Sequence, residues 1–212
     1  MTEQEVDRRP QALIPPSPTV EALREAAQLC QGCDLWRNAT QAVFGEGGPE
    51  ATVMLVGEQP GDREDLSGHP FVGPAGKLLD RALEEAGIER DKVYVTNAVK
   101  HFKWMPRGKK RLHKKPNAEE IAACRPWLDA EIALIGPELV VCLGATAAQA
   151  LLGRAFRVTE SHGQILDGPG DFQVMATMHP SSILRAQSDE DREAQMRVLV
   201  EDLTNAARFL RG

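Results

Sequence analysis

With 212 residues, 42% of them hydrophobic, the chain is long enough to bury a full core, and a single domain is the default expectation. Its mean hydropathy is −0.33 and no apolar run approaches the roughly 18 residues of a bilayer-spanning helix, which argues against a helical membrane protein. The formal net charge is −6, from 25 basic and 31 acidic side chains, a background against which any cluster of cations stands out.

Residues 1–18 contain Pro10, Pro15, Pro16 and Pro18 and no apolar signal-peptide core, so they are expected to form a flexible tail ahead of one domain over 19–212. The expected compartment is the cytoplasm, whose reducing state disfavours disulfides. Cys30-Gln31-Gly32-Cys33 makes a compact chelating turn, while Cys124 and Cys142 fall on a predicted helix and a predicted strand. That spacing leaves three roles open: an iron–sulfur centre, a zinc site, or plain packing with Cys142 as a small buried hydrophobe.

Four short apolar runs, 52–57, 93–97, 139–144 and 173–178, read as parallel strands, because a strand covered by helices on both sides must be apolar on both faces. Helical patterns separate them. One covers 74–86, with Leu78, Leu79, Ala82 and Leu83 on one face and Gly87 as its stop. A second starts at Asn117, where Glu120 completes a capping box, and carries Ile121, Cys124, Leu128, Ile132 and Ile135 to a stop at Gly136-Pro137. A short helix follows Gly144, and a long one spans 189–210 with Met196, Leu199, Val200, Leu203 and Ala207 facing inward. This alternation predicts an α/β chain: a three-layer α/β/α sandwich around a mainly parallel four-stranded sheet.

Ligands of such sheets sit beyond the carboxyl ends of the strands, so the residues that follow each strand are the candidates. The first strand leads into Gly57-Glu58-Gln59-Pro60-Gly61-Asp62, whose glycines allow close backbone approach and whose Glu58 would repel a triphosphate; no phosphate-loop lysine is present. The second strand ends at Asn97, whose amide offers a donor and an acceptor to a lactam edge such as that of a pyrimidine, or simply caps the strand. Phe71, beside the start of a helix, is either core or a stacking surface for a base. After the fourth strand come His179, Ser181, Ser182 and Arg185, a turn able to hold a phosphate or to serve as an ordinary helix cap. His69, His101 and His162 have no comparable setting.

From Lys100 to Pro116 the chain holds eight Lys or Arg, two His and no acid; elsewhere 17 basic residues stand against 31 acidic ones. Crowded cations repel one another, so the run points to an anionic partner such as a nucleic-acid backbone, against the alternative of a solvated loop. Within it, Lys109-Lys110-Arg111-Leu112-His113 places a nucleophilic imidazole among phosphate-seeking charges.

In their order these motifs resemble the uracil-DNA glycosylase superfamily, and family 4 from about residue 23 to 210: Gly57-Glu58-Gln59-Pro60-Gly61, the run from Pro70 to Asp80, Val95-Thr96-Asn97, and His179-Pro180-Ser181. Gln59 and the basic segment are similar to the UdgX branch, whose Lys-Arg-Arg-Ile-His loop reads here as Lys109 to His113, with Lys110 and Leu112 departing from it. The resemblance implies the glycosylase fold and a [4Fe–4S] cluster held by Cys30, Cys33, Cys124 and Cys142, structural in role. It implies uracil-containing DNA as the partner, single-stranded DNA favoured because flipping the base out then costs less, and a monomer. Phe71 and Asn97 would hold the base with Gly57, Gln59 and Asp62; His179 would stabilise the leaving uracil; Lys109, Lys110, Arg111, Ser181, Ser182 and Arg185 would hold DNA. In the UdgX type His113 attacks the sugar C1′ with Glu58 as its partner and the protein stays joined to the DNA. In an ordinary family 4 enzyme water attacks instead and an abasic site is released.

Overall fold

The computed structural model describes residues 7–48 and 50–212. In chain order its elements are α1 (Pro10–Leu13), α2 (Val20–Ala27), β1 (Val53–Gly57), α3 (Asp62–Ser67), α4 (Pro74–Ala86), β2 (Val93–Asn97), β3 (Trp104–Arg107), β4 (Lys110–His113), α5 (Ala118–Ile135), β5 (Leu139–Leu143), α6 (Ala145–Leu152), α7 (Val158–Ser161), β6 (Ile165–Asp167), β7 (Gln173–Thr177), α8 (Pro180–Leu184) and α9 (Asp189–Phe209).

The main sheet runs β2-β1-β5-β7-β6. Its first four strands are the four apolar runs, all parallel, with Val53 level with Val93 and Leu139 and Gly57 level with Asn97. A fifth strand, β6, closes the edge antiparallel to β7, so the sheet has five strands rather than the expected four. Strand side chains alternate between two apolar layers. Val53 and Leu55 pack with Leu79 and Leu83 of α4 and Leu199 and Leu203 of α9. Met54 and Val56 pack on the opposite face with Leu128 and Ile132 of α5 and Ala147 and Leu151 of α6. Burial on both faces explains why these strands read as continuous apolar runs.

The capping box forms as expected: the Asn117 side chain accepts from the Glu120 N–H, and Glu120 accepts from the Asn117 N–H. Residues 1–6 of the expected tail lie outside the described residues, but its later part is packed. Pro10 occupies the first turn of α1, where its missing N–H costs nothing, and is buried; Leu13 and Ile14 lie against the core around Trp127. The basic run is a β-hairpin, not a loop. Arg107 pairs with Lys110 across a two-residue turn that has Gly108 at its first position (φ 59°), and Trp104 pairs with His113 at the base.

Candidate active site

The carboxyl ends of β1, β2, β5 and β7 converge on one pocket of about 570 Å³, lined among others by Glu58, Gln59, Phe71, Asn97, His113, Thr146, His179 and Arg185. Parallel register brings Gly57 beside Asn97, and here the absence of a side chain matters. A Cβ on Gly57 would lie 2.3 Å from the Asn97 amide oxygen and 2.8 Å from the Phe71 ring. Asn97 is 3% exposed, and its backbone carbonyl accepts from the buried Lys100 Nζ at 2.7 Å. No hydrogen bond engages its side-chain amide among the described residues, and no buried side-chain polar atom is left unpartnered, so the amide is open to the pocket. Phe71 stacks on His179 with ring centroids 6.3 Å apart and planes 23° apart. It holds φ at 57°, a conformation that costs a bulky residue on the order of 1–3 kcal/mol and persists only where the surroundings impose it.

His179 caps α8, its Nδ1 accepting from the Ser181 N–H at 3.1 Å. The neutral ring therefore carries its proton on Nε2 and is a donor there. Burial pushes the imidazole down to about 4, with the charges of Arg185 and His113 acting in the same direction. Buried His101 is likewise held at about 4 against an ordinary 6.5. Unfolded, both rings titrate at the ordinary value. Between those values the unfolded chain binds more protons, so stability is full above the unfolded pKa and falls as pH drops toward the folded one. Urea midpoints should therefore decline between about pH 6.5 and 4; a flat profile across that window would mean that these rings are not desolvated.

His113 stands at the base of the hairpin with Nε2 3.3 Å from Glu58 Oε1, its ring leaning on Phe102. Its pKa is lowered, first by burial and then by Arg185, with Glu58 opposing. None of the neighbouring lysines of the hairpin is among the causes. The second Glu58 oxygen accepts from the Thr146 hydroxyl in the first turn of α6. Thr146 went unmarked in the sequence, although it follows the third apolar strand, where the strand-end rule points.

The hairpin is tied down by side chains. Gln59 donates to the carbonyls of Lys103 and Lys114 and accepts from the Lys103 N–H, so its amide is committed to both strands although it lines the pocket. Arg111, expected on DNA, instead bonds Asp62 and the fully buried Asp65, each at 2.6 Å, and its guanidinium lies 5.5 Å from the Phe102 and Trp104 ring centres. Asp62 is thus an anchor and does not line the pocket. Lys103 pairs with Glu120 and Lys100 with Glu131. The remaining five cations of the run, Arg107, Lys109, Lys110, Lys114 and Lys115, are exposed and without an ion pair among the described residues. The argument from crowded charge therefore holds for five cations, not eight. Removing Lys109 or Lys110 should flatten the salt dependence of single-stranded DNA binding by about 0.7 in log–log slope for each lost phosphate contact. An unchanged slope would leave the hairpin tip out of the interface. Ser182 is also committed, its hydroxyl donating to the His179 carbonyl, whereas Ser181 accepts from Arg185 at the pocket rim.

The cysteines divide. Cys30, Cys33 and Cys124 border one apolar cluster, and burial, with Cys33 and Cys30 adding to it, pushes the Cys124 thiol up to about 12; the Trp127 Nε1–H donates to the Cys30 sulfur and the Lys100 N–H to that of Cys124. Cys142 lies in the other layer, against α5 and α6. A four-thiolate cluster needs its sulfurs around one centre. The expected ligand set does not fit, because β5 turns Cys142 toward a different core. Among the described residues no three His, Cys, Asp or Glu stand together as a metal site, and no helix is long and apolar enough to cross a membrane.

Residues 44–204 match the family model described as the uracil DNA glycosylase superfamily. The type-4 uracil-DNA glycosylase of Thermotoga maritima is 38% identical over 193 residues, covering 91% of this chain and 95% of that protein. Its counterpart from Pyrobaculum aerophilum is 35% identical over 173 residues, covering 78% and 85%. The type-5 enzyme of Thermus thermophilus is 33% identical over 211 residues, covering 83% and 92%. A parallel sheet whose strand ends gather Glu58, Asn97 and His179 into one pocket is thus joined by matches over most of the chain, and the protein belongs to the uracil-DNA glycosylase superfamily.

Proposed function

We propose that this protein is a DNA N-glycosylase that excises uracil and retains the resulting sugar covalently on His113. The observation that carries the covalent step is the His113–Glu58 pair facing the same pocket as Asn97 and His179. The Asn97 amide pairs with the N3–H and O4 edge of uracil, and Phe71 stacks on the ring. As the N1–C1′ bond breaks, its electron pair stays on the uracil, and His179 Nε2–H donates to the developing charge at O2. A positioned donor of this kind is worth about 2.7–4 kcal/mol of barrier. A ring nitrogen of His113 supplies the pair for a new N–C1′ bond. Glu58, ionised while the sugar is cationic, stabilises it and then takes the imidazolium proton once the N–C1′ bond has formed, and the uracil anion takes a proton from water as it leaves.

Neutral His113 and a neutral, donating His179 are the forms this chemistry requires, and burial favours both. No step uses an electron, so none runs through a cluster. Single-stranded DNA is the better substrate because extrusion of the base is cheaper, and the protein acts as a monomer.

A second reading is favoured by the type-4 relatives: water replaces His113 as acceptor, and free abasic DNA is released with turnover. A labelled single-stranded oligonucleotide carrying one uracil separates the two. Under covalent capture, denaturing electrophoresis shows a heat-stable protein–DNA band that a uracil-free control lacks. Alkali-cleavable DNA without that band overturns capture in favour of turnover.

A further inference from the structure

A second cavity, of about 410 Å³, opens beside the catalytic pocket between α6 and the first turns of α5. The two cavities share Lys115 and Thr146, so a strand leaving one passes directly into the other. The walls of the second carry Lys115, Arg125 and Arg154 and no carboxylate, in a chain with 31 acidic residues. Arg125 is held by Asp129 and by the Ala150 carbonyl. Lys115 and Arg154 are exposed and make no ion pair among the described residues. Between these cations Ile121, Ala122 and Ala150 form an apolar ledge.

Cations at the rim and an apolar ledge between them complement a nucleotide, which presents a phosphate on one side and a flat base on the other. The volume lies within the range of sites that enclose a small ligand. We infer that this cavity seats the nucleotide adjoining the uracil on the same DNA strand, with Lys115 and Arg154 on its phosphate and Ile121 and Ala122 beneath its base. The inference rests on the uracil-DNA reading and deepens it: excision depends on one neighbour of the uracil more than on the other.

The test uses single-stranded oligonucleotides with one uracil in which the nucleotide on the 5′ side, or that on the 3′ side, is replaced by a base-less tetrahydrofuran residue. Single-turnover excision should slow at least tenfold for one replacement and change less than threefold for the other. In Ala122→Trp, which fills the cavity from an exposed helix position, and in Arg154→Glu, which reverses the rim charge, the ratio between the two substrates should collapse toward one. Equal effects on the two sides, or a sidedness that survives both variants, would overturn the inference while leaving uracil excision intact. Failure to excise uracil from any oligonucleotide would instead remove the reading beneath it.

Discussion

His113→Ala should abolish the heat-stable protein–DNA band completely while leaving the fold intact. The ring is half exposed, at 50% of its side-chain area, and its contacts are with Glu58 and Phe102, so its loss opens no sealed cavity. What disappears is the only imidazole placed on the Glu58 side of the pocket; His179, across it, already gives Nδ1 to the Ser181 N–H and presents a donor to the base. With the acceptor gone, water can reach the sugar cation, and slow release of free abasic DNA should replace capture. Glu58→Gln should act differently, slowing excision itself, because the carboxylate faces the cation in either chemistry. If the band survives His113→Ala, the covalent acceptor is another residue and the hairpin histidine is a DNA contact only.

The second large effect is on stability. Lys100→Met should cost about 3–5 kcal/mol, the usual penalty for stripping one partner from a buried ion pair, and lower the melting temperature by roughly 6–20 °C. Lys100 and Glu131 are each 1% exposed. The same carboxylate also accepts from the Tyr94 and Thr96 hydroxyls and the Gly45 N–H. Adding Glu131→Gln to Lys100→Met should recover part of the loss, since glutamine keeps accepting from those donors without a stranded charge. Glu131→Leu should recover nothing, because it orphans all three. Denaturant titration of the three variants decides the matter, and equal midpoints for Lys100→Met and the unaltered protein would mean that water reaches the pair. Lys100 Nζ also holds the Asn97 carbonyl, so surviving Lys100→Met protein should discriminate uracil less sharply.

The central sheet was legible because four strands buried on both faces must be apolar throughout, and the 74–86 helix and the Asn117 capping box carried unambiguous end signals. Strand β6 was not. It has three residues, half-buried and at an edge, too few for a pattern. The hairpin was hidden by its own charge, since residues 104–113 alternate in neither hydrophobicity nor size. Glu58, Asn97 and His179 were found by following strand ends and His113 by the basic run around it, and the structure brings all four to one pocket. The fates of Arg111 and Asp62 were not readable, because their pairing joins positions 49 apart in the chain. Local sequence says that a guanidinium seeks an anion, not whether a carboxylate of the same molecule arrives first. The same holds for Cys142: its place on a strand was evident, but the face it takes depends on the register of its neighbours.

The clamped base of the hairpin has a practical consequence. Gln59 and Arg111 restrain the strands near His113, whereas the turn at Gly108-Lys109 is held by nothing beyond its own two strands. The turn is thus a handle: a dye, a biotin or a short inserted peptide placed there rides outside the catalytic geometry. If His113 captures the sugar as proposed, protein labelled there would carry a reporter to each uracil it meets and leave a map of where the base had been.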